Sequence, residues 1–136
     1  MSFSSDMKKW AKKTKMKEEQ AIRLATVSIS GDIIDRTPVD TGRLRGNWIP
    51  SVNAPIIDQT DNTAPLTEEV QSRAAQATGK VFYLVNSLPY ARVAEYGEWS
   101  EPGTSKTISG FSAKAPQGMV RISVQNFKEA LKKAVK

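Results

Sequence analysis

A chain of 136 residues, 39% of them hydrophobic, is long enough for one domain with its own core. It has no cysteine and no histidine, which excludes a disulfide framework, a thiolate metal site and every Ser-His or Cys-His catalytic pair. The net charge of +6 is carried by the ends: residues 1–24 hold seven basic and three acidic groups, residues 116–136 five and one, and the middle is net −2.

Ser4, Ser5 and Asp6 offer N-caps for a helix starting near residue 6. No Pro or Gly interrupts it before Gly31, and Pro38 disfavours helical geometry at Thr37, so one long helix to about Arg36 is expected. At 1.5 Å per residue it would reach roughly 45 Å, more than such a domain is wide, so part of it should project or pack on a neighbour. Ile22, Ala25, Ile29 and Ile33 fall on one face of it, and Leu24, Val27 and Ile34 on nearly the opposite face. The second stripe needs a cover, either another subunit or another element of the same chain.

Pro38-Val39-Asp40-Thr41-Gly42 is turn chemistry, with the Asp40 side chain suited to bracing the turn. Leu44–Val52 then alternates as a strand, with Leu44, Gly46, Trp48 and Val52 on one face and Pro50 marking an edge. Residues 53–66 are loop-like. A short, mostly polar helix capped by Thr67 and ending near Thr78-Gly79 should lie on the surface.

Lys80–Asn86 is apolar on both faces and predicts a central strand ended by Pro89. Tyr90–Tyr96 predicts one or two helical turns stopped by Gly97. Residues 98–113 form a long loop or extended hairpin, and its Trp99, Ile108 and Phe111 are costly to leave in water. Pro116 suits the first turn of a last helix. On that helix Val120, Val124, Phe127, Leu131, Ala134 and Val135 form one stripe, and Lys and Arg occupy the other side. The sum is a single α+β domain over 1–136. It has a long N-terminal helix, a small, mostly antiparallel sheet and an amphipathic C-terminal helix packed on one face, with 53–79 as an inserted loop and short helix.

Signs of chemistry are sparse. There is no Gly-rich phosphate loop, no G-x-S-x-G elbow and no Glu-x-Lys nuclease pattern. Asp32, Asp35, Asp40 and Glu95 could gather around Mg²⁺, but solvated helix positions and a turn brace account for the three aspartates more simply. Glu95 is expected in an ion pair with Arg43 or Arg45. No stretch nears the ~18 apolar residues of a membrane span, and the N-terminus lacks a signal-peptide core, so cytoplasmic assembly is the default.

Two segments, Arg36-Thr37-Pro38-Val39-Asp40-Thr41-Gly42-Arg43-Leu44 and Tyr90-Ala91-Arg92-Val93-Ala94-Glu95-Tyr96-Gly97, stand in this order within the architecture above. Together they resemble the tail-completion (neck) proteins of long-tailed bacteriophages, of the minor tail protein Z kind, over about residues 20–135. The resemblance implies a structural virion protein at the head–tail junction, assembled in the host cytoplasm. It would form a six-fold ring with its own copies and contact head connector or adaptor proteins and the tail tube or its terminator. No enzyme activity, cofactor, metal or membrane is implied. Pro38, Asp40, Gly42, Tyr90, Glu95 and Gly97 would be fold-signature turn residues. Leu24, Val27, Ile34, Trp99, Ile108 and Phe111 would be interface candidates. Lys8, Lys9, Lys12 and Lys13 would face duplex DNA in the channel, contacting phosphates without reading sequence. The alternative is a small basic DNA-binding accessory protein, whose affinity would fall steeply with salt.

Overall fold

The fold is taken from a computed structural model, which describes residues 2–39, 42–98, 107–108, 111–112 and 115–136. Ser2 caps the first helix, α1 (Phe3–Lys13), by accepting from the Ser5 amide at 3.1 Å. The cap thus lies before the expected Ser4–Asp6.

The single helix expected over 6–36 is two helices. α1 ends in a Schellman turn with Lys15 at φ 58°. The Lys15 amide donates to the Lys12 carbonyl at 3.3 Å and the Met16 amide to the Ala11 carbonyl at 2.9 Å. The Thr14 hydroxyl donates to the Trp10 carbonyl at 2.7 Å. The second helix, α2 (Glu18–Arg36), then folds back on the first. Gln20 Oε1 accepts from the Lys17 amide at 3.2 Å, and Glu18 and Glu19 sit at the positive end of the helix dipole. Two forces favour the break. A continuous helix would stack Lys13 on Lys17 four residues on. Folding back also buries Met7 and Ala11 with Ala21, Ala25 and Leu131 in one cluster, where Met7 and Leu131 each contribute roughly 1.5–3 kcal/mol. The hairpin removes the expectation that a 45 Å helix must project.

α2 stops where Pro38 requires it, with Thr37 extended at φ −68° and ψ 125°. Leu44–Val52 is not one strand. Arg45–Asn47 form a 3₁₀ turn, and the strand β1 is only Ile49–Val52. It pairs antiparallel with β2 (Phe82–Val85), Ile49 opposite Val85 and Val52 opposite Phe82. Among the described residues these two strands are the whole sheet, so β2 is half-buried, not central as expected.

The helix α3 (Thr67–Gln76) lies between them in the chain. It lacks a side-chain cap, since Leu66 rather than Thr67 holds the N-cap position. It lies on the surface as expected, with every residue exposed except one short inward stripe. Val70 and Ala74, four residues apart, are buried against α2 and β1. Val70 joins Ile33, Ile34, Trp48, Ala94 and Met119 in the second core cluster, onto which Phe82 and Leu84 pack from β2.

Pro89 opens α4 (Pro89–Tyr96), and Gly97 closes it in the left-handed conformation. Thr107–Ile108 (β3) and Phe111–Ser112 (β4) pair antiparallel as a separate ribbon. The last helix, α5 (Val120–Ala134), starts four residues beyond Pro116, which lies in the turn before it. Its neighbours are α1 and α2: Phe127, Leu131 and Val135 meet the first cluster and Val120 the second. Ala134, expected in its apolar stripe, is exposed.

Candidate functional site

The first motif is a turn locked from inside. The buried Thr37 hydroxyl donates to the Ile33 carbonyl at 2.7 Å and accepts from Trp48 Nε1 at 2.8 Å. Arg45 Nη2 donates to the carbonyls of Asp35 and Thr37 at 3.1 and 3.0 Å, tying the 3₁₀ turn to the end of α2. Gly42 takes φ 90°, as the turn requires, and Asp40 lies outside the described residues.

Asn47, which the alternating pattern points away from the core, has 0% exposure. Its Nδ2 donates to the carbonyls of Arg43 and Thr60 at 2.7 and 3.0 Å, and its Oδ1 accepts from the Thr60 amide at 2.8 Å. Asn62 Nδ2 donates to the Gly46 carbonyl at 3.3 Å. Asn86 Nδ2 reaches the Leu44 carbonyl at 2.7 Å. The 53–66 segment is therefore pinned by amide side chains although it has no regular structure. The Gly46-Asn47 pair was the signal for it, because Gly-Asn is turn chemistry inside a nominal strand.

The second motif is a clasp on α5. Glu95 is 7% exposed. Its Oε1 accepts from the amides of Met119 and Val120 at 2.8 and 2.7 Å. Its Oε2 accepts from the Arg121 amide at 3.1 Å and from Arg121 Nε at 2.8 Å. Arg121 Nη2 also donates to the Glu95 carbonyl at 2.7 Å. The expected partners Arg43 and Arg45 are engaged elsewhere: Arg43 Nε donates to the Thr60 carbonyl at 2.9 Å and lies 3.6 Å from Asp61. Burial pushes the Glu95 carboxyl up, but the amides of Val120, Arg121 and Met119 and the Arg121 guanidinium together outweigh it and hold the group below its ordinary 4.5. A carboxylate with four donors on its two oxygens stays charged and fixed. It supplies the N-terminal anion that α5 otherwise lacks.

Two glycines allow close approaches around α4, one at this clasp and one at the Phe111 ring. Gly118 has φ 81°, and a Cβ there would meet the Glu95 carbonyl oxygen at 2.6 Å. Gly97 has φ 66°, and a Cβ there would run into the Phe111 ring. Both positions need a residue without Cβ. The guanidinium groups of Arg121 and Arg92 lie 4.6 and 5.1 Å from the centre of the Tyr96 ring. Tyr90 is exposed, so its side chain does not take part in the turn's framework.

The interface candidates divide. Ile34 is buried in the second cluster and is unavailable to a partner. Phe111 is half-buried against Gly97 of its own chain. Ile108 lies on β3 opposite Phe111, and Trp99 lies outside the described residues. Leu24, however, is 51% exposed, and Val27 is half-buried beside Gly31 in a shallow depression between α2 and α5. Ile22, expected in the core stripe, is 55% exposed at a groove of about 630 Å³ that Val81 and Phe82 line from the other side. The structure thus leaves apolar surface uncovered on two sides of α2. Lys8, Lys9, Lys12 and Lys13 are all exposed on α1.

Asp32 pairs with Arg36 at 3.1 Å and Asp35 is exposed. Among the described residues no group of three or more His, Cys, Asp or Glu side chains could hold a metal ion. None of the described helices is long and apolar enough to cross a membrane. No protein-family model, curated protein or solved structure matches the chain.

Proposed function

We infer that this chain is a structural protein of the phage virion that acts at the head–tail junction, without enzymatic activity. In this role it assembles as a ring with copies of itself, between the head connector and the tail tube. The resemblance of the two ordered motifs to neck proteins supports this role. The observation on which the structure's support rests is the apolar surface left open on α2, with Leu24 and Ile22 each about half exposed on different faces. One helix with two open faces suits the heterologous contacts of a ring, where each copy presents one surface to the copy before it and another to the copy after it. The saturated hydrogen bonding of Glu95 fits a framework residue better than an acid–base group.

Electron microscopy of lysates from the source phage or prophage, with this gene disrupted, tests the role. DNA-filled heads lying apart from finished tails, or tails of abnormal length, are expected. Normal, joined, infectious particles would remove the junction role.

A further inference from the structure

The structure brings the two basic ends of the chain together at one pole. Lys13 Nζ, on the last turn of α1, donates to the carbonyls of Ala134 and Lys136 at 2.8 and 3.2 Å. Met16 from the α1–α2 turn and Val135 from the end of α5 pack on the same buried cluster. Around them stand Lys8, Lys12, Lys15, Lys17, Lys132, Lys133 and Lys136, all exposed. Residues 7–17 and 130–136 contain no acid. Acids stand only at its margins: Asp6 is buried, Glu18 and Glu19 are exposed on the first turn of α2, where Glu18 shares a depression with Lys8, and Glu129 is exposed one turn before the end of α5.

Helix dipoles account for part of the pattern only. Lys12, Lys13, Lys132 and Lys133 lie at negative C-terminal ends. Lys8 lies a turn or more before such an end. Lys17 lies at the N-cap of α2, where the dipole disfavours a cation. Packing this many like charges together is unfavourable for the free chain, so a polyanion is the natural complement.

We propose that this lysine pole binds the phosphate backbone of duplex DNA without sequence preference. Lysines are mobile point charges suited to phosphates rather than base edges. None of the large exposed apolar side chains lies within 7–17 or 130–136, and Trp10 and Met16 turn into the buried cluster. Exposed apolar side chains, Phe3 and Ile22, flank only its Lys8 margin, so most of the pole offers charge without a stacking platform or an apolar anchor. A free chain of any assembly state carries it, so DNA binding and ring formation succeed or fail separately.

The test is fluorescence anisotropy of a labelled random-sequence duplex titrated with the full chain over a salt series. With about five lysines engaged, log K should fall against log salt with a slope of about −4 to −5. Lys12→Gln, Lys132→Gln and Lys133→Gln together should flatten that slope by about 2–3, while the same three positions as Arg should keep it. Arg92→Gln, beside Tyr96 at the far end of α5, should leave it unchanged. Circular dichroism checks that each variant is folded. Absence of binding at low salt, or a slope that the triple Gln variant leaves intact, would overturn the proposal. So would phosphatidylserine vesicles binding the chain as tightly as the duplex does, which would point to a membrane surface instead.

Discussion

Trp48 Nε1 donates to Thr37 Oγ1 at 2.8 Å, and that same hydroxyl donates to the Ile33 carbonyl at 2.7 Å. One buried hydroxyl thus joins the end of α2 to the residue that leads into β1. Both residues are buried, so water cannot replace the bond when one partner is lost. Thr37→Val keeps the shape and removes the acceptor. It should cost about 1–3 kcal/mol in urea denaturation. In that background Trp48→Phe should cost less than it does alone, because the orphaned indole N–H goes with it. Equal costs in both backgrounds would show that the bond is not coupled.

Glu95 should give the chain an acid-sensitive stability. Its folded carboxyl lies below 4.5, so the stabilisation is fully present above that value and is lost as the pH falls through the folded value. Unfolding free energy measured from pH 7 downward should decline below about 4.5 in part through this group. Glu95→Gln removes the charge and turns an amide NH₂ toward Arg121. It should cost about 2–3 kcal/mol at pH 7 and flatten the acid limb of the profile. An acid limb as steep as in the parent chain would assign the pH dependence to other carboxylates.

Much of the framework was legible because it rests on local chemistry. Pro38 ends α2, Gly97 ends α4, and the stripe of α5 is readable at period 3.6. The break at Lys15 was not legible, because a Schellman turn with a lysine in the left-handed position carries no Gly or Pro. It exists because α5, distant in sequence, completes the cluster that rewards folding α1 back. The long-range partners of Asn47 and Glu95 were hidden for the same reason, since Thr60 and the start of α5 lie 13 or more residues away, although Gly46-Asn47 marked the turn itself. On α2 the two opposed stripes were visible, but which members the chain covers itself depends on α3 and β2. Ile34 went inside and Ile22 outside.

Gly31 and Gly118 should respond oppositely to the same substitution. Gly31 is inside α2, and a Cβ there meets nothing within 4 Å. Gly31→Ala should stabilise the isolated chain by about 0.5–1 kcal/mol through helix propensity. Gly118 has φ 81°, and its Cβ would approach the Glu95 carbonyl oxygen at 2.6 Å. Gly118→Ala should destabilise by more than the ~1–2 kcal/mol of the backbone strain alone, because it also displaces the clasp. Thermal melts of the two variants settle both signs. Gly31→Ala carries a second use, since Gly31 lines the depression between α2 and α5. If a neighbouring copy fills that depression, the variant should be more stable alone and poorer in assembly.

Leu24 and Ile34 come from the same expected stripe and separate stability from assembly. Ile34 is 4% exposed inside the second cluster, so Ile34→Ala should cost about 2–5 kcal/mol. Leu24 is half in water and supports little of the fold. Leu24→Glu should change stability by no more than about 0.5 kcal/mol in denaturation. In the phage the order should reverse in kind. Leu24→Glu should yield normal amounts of soluble protein, as judged by circular dichroism and sedimentation. It should nevertheless fail to restore joined particles to the disrupted phage, because a buried carboxylate at a subunit contact has no partner. Full complementation by Leu24→Glu would show that this face of α2 stays in water in the assembled virion. The ring contacts would then have to be sought on the Ile22 side, where Ile22→Glu offers the matching experiment.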